Sequence, residues 1–334
     1  MSNYGLTYCG SKASIIASIS MFFPKADHFY DLFGGGFSVS HYMLVNRKSR
    51  YKYFHYNEIE TDIVNLVKQA INGDFSYEKF KPEWISRSQF YNQKNENAYI
   101  RLVWSFGSAQ DSYIFSKIIE PYKKSMHQAI IFDEFDETAK LTLGFDKWPL
   151  IAKTIKQKRF YLRQKIEHYR ITNTLPKILY QFIPKQLKQL ERLLRLQQLE
   201  QLERLQQLEQ LEPLLQLERL QQLERLQRLE QLQRLEQLQR LNMTAKDYRD
   251  VDILPNSAVY CDIPYKNTQG YISIFNHKEF FEWAITRQFP VYISEYNITD
   301  KRFKLIYDIE KRSLMSSSKS NCKKMTEKLY WNGI

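Results

Sequence analysis

His28-Phe29-Tyr30-Asp31-Leu32-Phe33-Gly34-Gly35-Gly36 decides the reading of this chain. Its apolar and aromatic half reads as a strand that runs into three glycines. Ser38 to Val45 then reads as the start of a helix. Glycine lets a backbone turn tightly and approach a ligand with no Cβ in the way. At the carboxyl end of a first strand, such a turn makes the usual crevice for a nucleotide-like cofactor. Downstream, Lys52-Tyr53-Phe54-His55-Tyr56 reads as a second strand. Thr61 to Ile71 follows with Ile63, Leu66, Val67 and Ala70 at helical spacing. Asn57-Glu58 lies between them, where an acidic side chain can accept hydrogen bonds from ribose hydroxyls. Strand, glycine turn, helix, strand, helix opens an α/β sheet wound by right-handed crossovers.

The same pattern returns far along the chain. Ala258-Val259-Tyr260-Cys261 reads as a strand leading into Asp262-Ile263-Pro264-Tyr265. Asn276 reads as a helix N-cap, with Glu279 completing a capping box and Phe280, Phe281 and Ala284 on the inner face. Pro290 to Ser294, Lys304 to Asp308 and Glu327 to Trp331 read as further strands. The middle of the chain is therefore an insertion between two halves of one sheet.

Asp262-Ile263-Pro264-Tyr265 carries chemistry suited to an aromatic amine. The lone pair of such an amine is delocalised, which makes it a poor nucleophile. A carboxylate and a backbone carbonyl accepting its two hydrogens would localise the lone pair and aim it at a methyl donor. An aromatic ring beside them can stack on a base flipped out of a duplex. Asp262, the carbonyl of Ile263 and the ring of Tyr265 supply these parts, and Pro264 stiffens the turn.

Between the halves the sequence changes character. Residues 74–185 are mixed, aromatic and basic. Lys156, Lys158, Arg159, Arg163 and Lys165 crowd together with Phe160, Tyr161 and Tyr169 interleaved. This suits either a phosphate-tracking surface or a solvated helix face. From Leu187 or Leu190 to Leu241, Leu recurs at every third position among Gln, Glu and Arg, all strong helix formers. A coiled-coil seam needs an average spacing of about 3.5. A period of three turns each Leu back by roughly 60°, so the row winds around the helix and no single face is apolar. Pro213 reads either as the first turn of a second antiparallel arm or as a kink in one rod. The monotony suggests a duplicated tract at a tolerant surface, with self-association through the repeat as the alternative.

The 334 residues suffice for a sizeable core, and 23 Tyr and 21 Phe argue against general disorder. The net charge is +12. Residues 186–242 hold nine basic and nine acidic side chains, so the remainder carries the whole excess. A basic globular part points to a polyanionic partner as readily as to a plain soluble surface. Cys9, Cys261 and Cys322 are odd in number and far apart, which gives neither a disulfide framework nor a metal site. A reducing cytoplasm is the simplest setting. There is no apolar run of about 18 residues and no basic-then-apolar leader pattern, so no membrane partner is expected.

Taken together, the motifs resemble the DNA adenine methylase family, the D12 class of N6-adenine-specific DNA methyltransferases. The resemblance covers about residues 4–125 and 251–334. Tyr8-Cys9-Gly10-Ser11-Lys12 looks like the family's N-terminal cofactor motif. Asp31 to Gly36 looks like its glycine motif, Asn57-Glu58-Ile59 like its Asn-Asp-Ile, and Asp262 to Tyr265 like its Asp-Pro-Pro-Tyr. The resemblance implies a Rossmann-like α/β sheet of the S-adenosylmethionine-dependent methyltransferase type, with a mostly helical insertion. It implies a cofactor-binding half (1–115), a target-recognition region (116–185), the repeat (186–242) and a catalytic half (243–334). It makes Tyr8, Gly10, Lys12, Asp31, Phe33, Gly34, Gly35, Gly36, Glu58 and Asp262 cofactor residues, with Asp31 toward the methionine part and Glu58 toward the ribose. It makes Asp262, Ile263, Pro264 and Tyr265 catalytic. The implied reaction is methyl transfer from S-adenosylmethionine to the N6 amine of adenine in double-stranded DNA, without a metal, by a bacterial or phage enzyme.

Three residues depart from the family pattern. Ile263 replaces a Pro but keeps the needed carbonyl. Glu58 is longer than the usual Asp. Phe37 stands where a last Gly is usual and would crowd the cofactor. Trp104-Ser105-Phe106-Gly107 also looks like a family element, with core packing expected for Trp104 and Phe106. Glu295 reads as a loop-orienting residue, and Tyr271 and Phe275 as loop aromatics over the base. An RNA substrate and a non-catalytic DNA-binding or scaffolding relative are the competing readings.

Overall fold

The structure is a computed structural model of the chain. It describes all residues except 1–3, 9, 77–78, 107–109, 173, 175, 177–178, 180, 182–220, 234, 236–237, 266–274 and 313–323. The repeat up to residue 220 with Pro213, and Cys9, Gly107, Tyr271 and Cys322, lie outside the described residues. Two compact units are formed. The first comprises residues 1–76, 93–112 and 225–334, and the second residues 77–92 and 113–224.

In chain order the elements are α1 (Ile16–Ile19), β1 (His28–Asp31), α2 (Ser38–Asn46), β2 (Tyr53–Asn57), α3 (Thr61–Ile71), α4 (Arg87–Gln93) and α5 (Ala98–Val103). Then come α6 (Glu120–Phe132), α7 (Glu137–Leu143), α8 (Ile155–Thr172), α9 (Gln221–Leu232), β3 (Leu241–Thr244) and β4 (Ser257–Cys261). The chain closes with α10 (His277–Ile285), β5 (Val291–Glu295), β6 (Lys304–Arg312) and β7 (Lys324–Trp331).

The first unit is built on one seven-stranded sheet in the order β3-β2-β1-β4-β5-β7-β6. β3, β2, β1, β4 and β5 run parallel, while β7 is antiparallel to both β5 and β6. After β1 the chain builds outward on one side through β2 and β3, then returns to build β4 and β5 on the other. This reversal between β1 and β4 is the topological switch point where open α/β sheets bind ligands. Every residue of β4 is buried, as a parallel strand covered on both faces requires. One face packs Tyr30, Val259, Cys261 and Ile293 with Phe280 and Ala284 of α10. Against the sheet, Phe23 lies within 5.6 Å of the Phe29, Tyr260 and Tyr292 rings. The expected α10 cap is present: Asn276 accepts a hydrogen bond from the Glu279 N–H at 3.2 Å.

The repeat departs from the expected continuous helix at its C-terminal end. The helix stops at Leu232, and Leu241–Thr244 is an edge strand paired with β2 in the register Phe54↔Leu241 to Asn57↔Thr244. The open edge of β2 offers unsatisfied backbone groups, and strand pairing meets them where a helix would not. Arg240 anchors the crossover by donating to the carbonyls of Lys48, Tyr51 and Lys52. Nor is α9 without an apolar face. Leu226, Leu229 and Leu232 are all buried, and Leu229 adjoins Leu6, Leu66, Leu102 and Val103. Three leucines stepping by about 60° cover an arc of about 120°, an ordinary buried stripe. Arg225 donates to the Leu102 and Ser105 carbonyls at 2.6 and 2.8 Å, satisfying the C-terminal end of α5.

The second unit packs α6, α7 and α8. α7 starts at Asp136, whose carboxylate accepts from the Ala139 N–H, and ends at Gly144 in the left-handed region. α8 carries the basic stretch. Lys158 is not part of an open phosphate-tracking face: it is buried, paired with Asp133 and donating to the Ile130 carbonyl. Lys156, Phe160 and Arg163 are exposed. In the first unit, Trp104 is fully buried as expected, but Phe106 is 62% exposed and no core residue. Among the described residues no helix is long and apolar enough to cross a membrane, and no cluster of three or more metal-ligating side chains occurs.

Candidate active site

The register brings the motifs side by side. Asp31 at the end of β1 pairs with Tyr56 on β2 and with Tyr260 on β4. Gly34–Gly36, Glu58 and Asp262 thus emerge from the carboxyl ends of three adjacent strands. A cavity of about 550 Å³ opens there, within the usual range for a small-molecule site. Its wall includes Tyr8, Gly10, Phe33, the three glycines, Glu58, Asp262 and Pro264. Lys12, Asp31, Ile263 and Tyr265 stand behind that wall, buried.

The glycine turn has physical reasons to be glycine. Gly35 has φ +44°, and a Cβ there would lie 2.9 Å from the Tyr8 ring. A Cβ on Gly34 would lie 2.2 Å from the Tyr56 ring. Tyr56 donates its hydroxyl to the Gly35 carbonyl at 2.7 Å. Phe37 does not crowd the cavity. It takes the left-handed conformation (φ 66°) at the start of α2, with its ring fully buried 5.2 Å from the Tyr56 ring.

Carboxylates occupy the donors that such a turn normally offers to anions. Asp31 accepts from the Ser40 N–H at 3.1 Å and from the Ser40 hydroxyl at 2.7 Å, both at Oδ2. Its Oδ1 is buried with no hydrogen-bond partner. Burial above all pushes Asp31 up to about 7, with the Ser40 bonds opposing and Asp262 and Glu58 adding to the rise. Glu58 accepts from the Gly35 N–H at 2.9 Å and from the Glu60 N–H at 3.2 Å, and burial raises its pKa against those bonds. Glu60 accepts from Tyr8 at 3.3 Å and is paired with Arg101 at 2.7 Å. Asn57 holds the next strand end: its amide donates to the Leu32 and Lys246 carbonyls and its oxygen accepts from Thr244 and Lys246.

On the other side of the switch point, Lys12 reaches the Asp262-Ile263-Pro264-Tyr265 turn. Its ammonium is 2.6 Å from Asp262 Oδ1 and 3.0 Å from Glu327 Oε1, and it donates to the Gly10 carbonyl at 2.7 Å. Burial opposes its charge, but the two carboxylates prevail and its pKa is raised. Tyr265 donates its hydroxyl to Glu327 at 2.7 Å, and the Lys12 ammonium lies 4.9 Å from its ring centroid. Tyr296 meets the Tyr265 ring edge-on at 4.5 Å. His277 binds the Pro264 carbonyl at 2.7 Å, with buried Glu295 3.8 Å from the same nitrogen.

The reading from sequence missed three parts of this site. Lys246, Asp247, Tyr248 and Arg249 complete the cavity wall beyond β3, and the unexpected strand explains the omission. Glu60 sits two residues past Glu58 in a helix-opening position that looks like an ordinary cap. Glu327 is separated by 65 positions in chain from Asp262, and only the β5–β7 pairing brings it near. A buried acid among the aromatic residues of the closing strand was the one available signal.

A comparison with curated proteins returned no match to the chain. A family model does match, over residues 8–137, a segment that holds Tyr8, the glycine turn and Glu58 and stops short of Asp262. That segment is similar to the D12 class N6 adenine-specific DNA methyltransferases.

Proposed function

We propose that the chain transfers a methyl group from S-adenosylmethionine to the N6 amine of adenine in DNA, with the motif residues other than Lys12 in the roles that the motifs imply. The observation that carries this reading is the single cavity walled by the glycine turn, Glu58 and Asp262 at the switch point. The donor set fits a cationic nucleoside better than a phosphate-bearing one. In phosphate sites the N–H groups of the glycine turn and helix start face the anion. Here Glu58 takes the Gly35 N–H and Asp31 takes the Ser40 N–H. The wall adds Glu60, Asp247 and Glu279 against Lys246 and Arg249. Asp31 Oδ1, buried without a partner, is the acceptor that an α-amino group would satisfy. Glu58 retains lone pairs for ribose hydroxyls.

S-adenosylmethionine, when bound, supplies an electrophilic methyl group on a positively charged sulfur. The residues of the chain do the positioning. Asp262 and the Ile263 carbonyl accept the two amine hydrogens, which directs the nitrogen lone pair at the methyl carbon. Asp262 would also accept the proton that the amine gives up on methylation. Tyr265 supplies the ring that would stack on a flipped base. The basic excess outside residues 186–242 and the exposed Lys156, Phe160 and Arg163 of α8 suit a nucleic-acid backbone.

The test is transfer of labelled methyl from S-adenosylmethionine to unmodified duplex DNA, with an RNA arm and base analysis after digestion. Label in N6-methyladenine from DNA is expected, and Asp262→Ala should lower the rate by roughly a hundredfold or more. Full activity in that variant, or label confined to RNA, would overturn the assignment.

A further inference from the structure

A lysine ammonium has three N–H donors and no acceptor. In Lys12 all three are engaged, by the Gly10 carbonyl, Asp262 Oδ1 and Glu327 Oε1 at 2.7, 2.6 and 3.0 Å. The side chain is 2% exposed and takes no part in the cavity wall. It has no donor left for a cofactor, although its motif suggests that role. Glu327, also buried, accepts from Tyr265 through the same oxygen that faces Lys12. One ammonium and one carboxylate thus connect the N-terminal wall, the turn after β4 and the closing strand β7.

We propose that Lys12 and Glu327 are positioning residues of the methyl-transfer site: together they fix the orientation of Asp262 and the ring plane of Tyr265, and neither contacts the cofactor. The inference rests on the methyltransferase reading above. Lys12 holds one oxygen of Asp262 while Asp262 remains in the cavity wall. It also backs one face of the Tyr265 ring, and Glu327 holds the hydroxyl at the ring's far end. Removing the ammonium takes away the cation that both carboxylates share, so neither Asp262 nor Glu327 is held by it. The turn then loses its geometry while the cofactor side, held by Asp31, Glu58 and the glycine turn, does not.

The experiment compares full-length wild type, Lys12→Met and Glu327→Gln. S-adenosylmethionine affinity is read by calorimetry and the single-turnover methyl-transfer rate with saturating cofactor and DNA. Lys12→Met keeps the aliphatic stem. Glu327→Gln keeps an acceptor for the Tyr265 hydroxyl and removes the charge. The expected result is a rate about a hundredfold lower in Lys12→Met and about tenfold lower in Glu327→Gln, with cofactor affinity within about threefold of wild type. A merely structural role would not separate rate from affinity in this way. Loss of cofactor affinity in Lys12→Met with an undiminished rate at saturation would overturn the proposal and leave the methyltransferase reading intact. If Lys12→Met fails to fold, Glu327→Gln decides alone, and a wild-type rate in it overturns the proposal. A wild-type chain that binds the cofactor and transfers no methyl to any nucleic acid overturns the functional reading, and the proposal with it.

Discussion

Asp31 holds its charge in an unfavourable place. It is fully buried, one oxygen takes both Ser40 bonds, and the other has no partner. Burial first, and Asp262 and Glu58 after it, push its pKa up to about 7 from an ordinary value of 3.8. An acid with a raised folded pKa binds its proton more tightly folded than unfolded. Its contribution to stability is therefore fully present below pH 3.8 and is lost as pH rises through about 7. A ligand ammonium reverses that balance, because it binds the ionised form. Cofactor affinity is expected to rise several-fold between about pH 6 and 7.5 as Asp31 ionises. Asp31→Asn should flatten that rise, bind the cofactor more weakly, and be the more stable protein without ligand at pH 8. Calorimetric titrations at several pH values check the first two, and urea unfolding checks the third. A pH-independent affinity in the wild type would show that Asp31 does not meet the cofactor.

Among the elements, those whose patterns were strong were legible from sequence. α3 spans Thr61–Ile71 as its apolar spacing predicts, because Ile63, Leu66, Val67 and Ala70 all face the core. The strand, glycine turn and helix from His28 to Asn46 form in that order, and the Asn276 cap is where the Asn and Glu279 pair places it. The motif residues at each strand end could also be placed, because their positions depend on local sequence. What depends on long-range pairing could not. β3 has four partly exposed or exposed residues and no alternation, so only the vacant edge of β2 makes it a strand. Phe106 carries an apolar side chain in a loop, and nothing local reveals that it faces solvent. Glu327 and Lys12 meet across a sheet whose order is invisible in the chain. The C-terminal end of the repeat belongs with these. Leu229 is buried among Leu6, Leu66 and Leu102, and Arg225 caps α5. Leu229→Ala is accordingly expected to lower stability by about 2–5 kcal/mol. A urea midpoint unchanged from wild type would mean that α9 is not part of the core of the first unit.

Across the whole molecule, charge is sorted by partner. The cavity wall sets Glu58, Glu60, Asp247, Asp262 and Glu279 against Lys246 and Arg249, while the chain as a whole carries +12. The repeat is internally neutral, with nine basic and nine acidic residues across 186–242, so it neither adds to nor screens that excess. An acidic cavity attracts a small cation, and a basic exterior attracts a polyanion. The two attractions respond differently to salt. Binding of a ligand with one or two charges loses only modest screened energy. Binding to DNA releases condensed counterions, and log K falls with log salt at a slope of about −0.9 for each phosphate neutralised. Four phosphate contacts would weaken DNA binding by about a hundredfold between roughly 50 and 200 mM salt. Over the same range, S-adenosylmethionine affinity is expected to change by no more than about threefold. Salt titrations of the DNA KM and of the cofactor Kd measure both on one preparation. A DNA KM as insensitive to salt as the cofactor Kd would mean that the basic excess does not meet phosphates. The net charge would then be a property of a soluble surface, and recognition of DNA would rest on contacts to the bases.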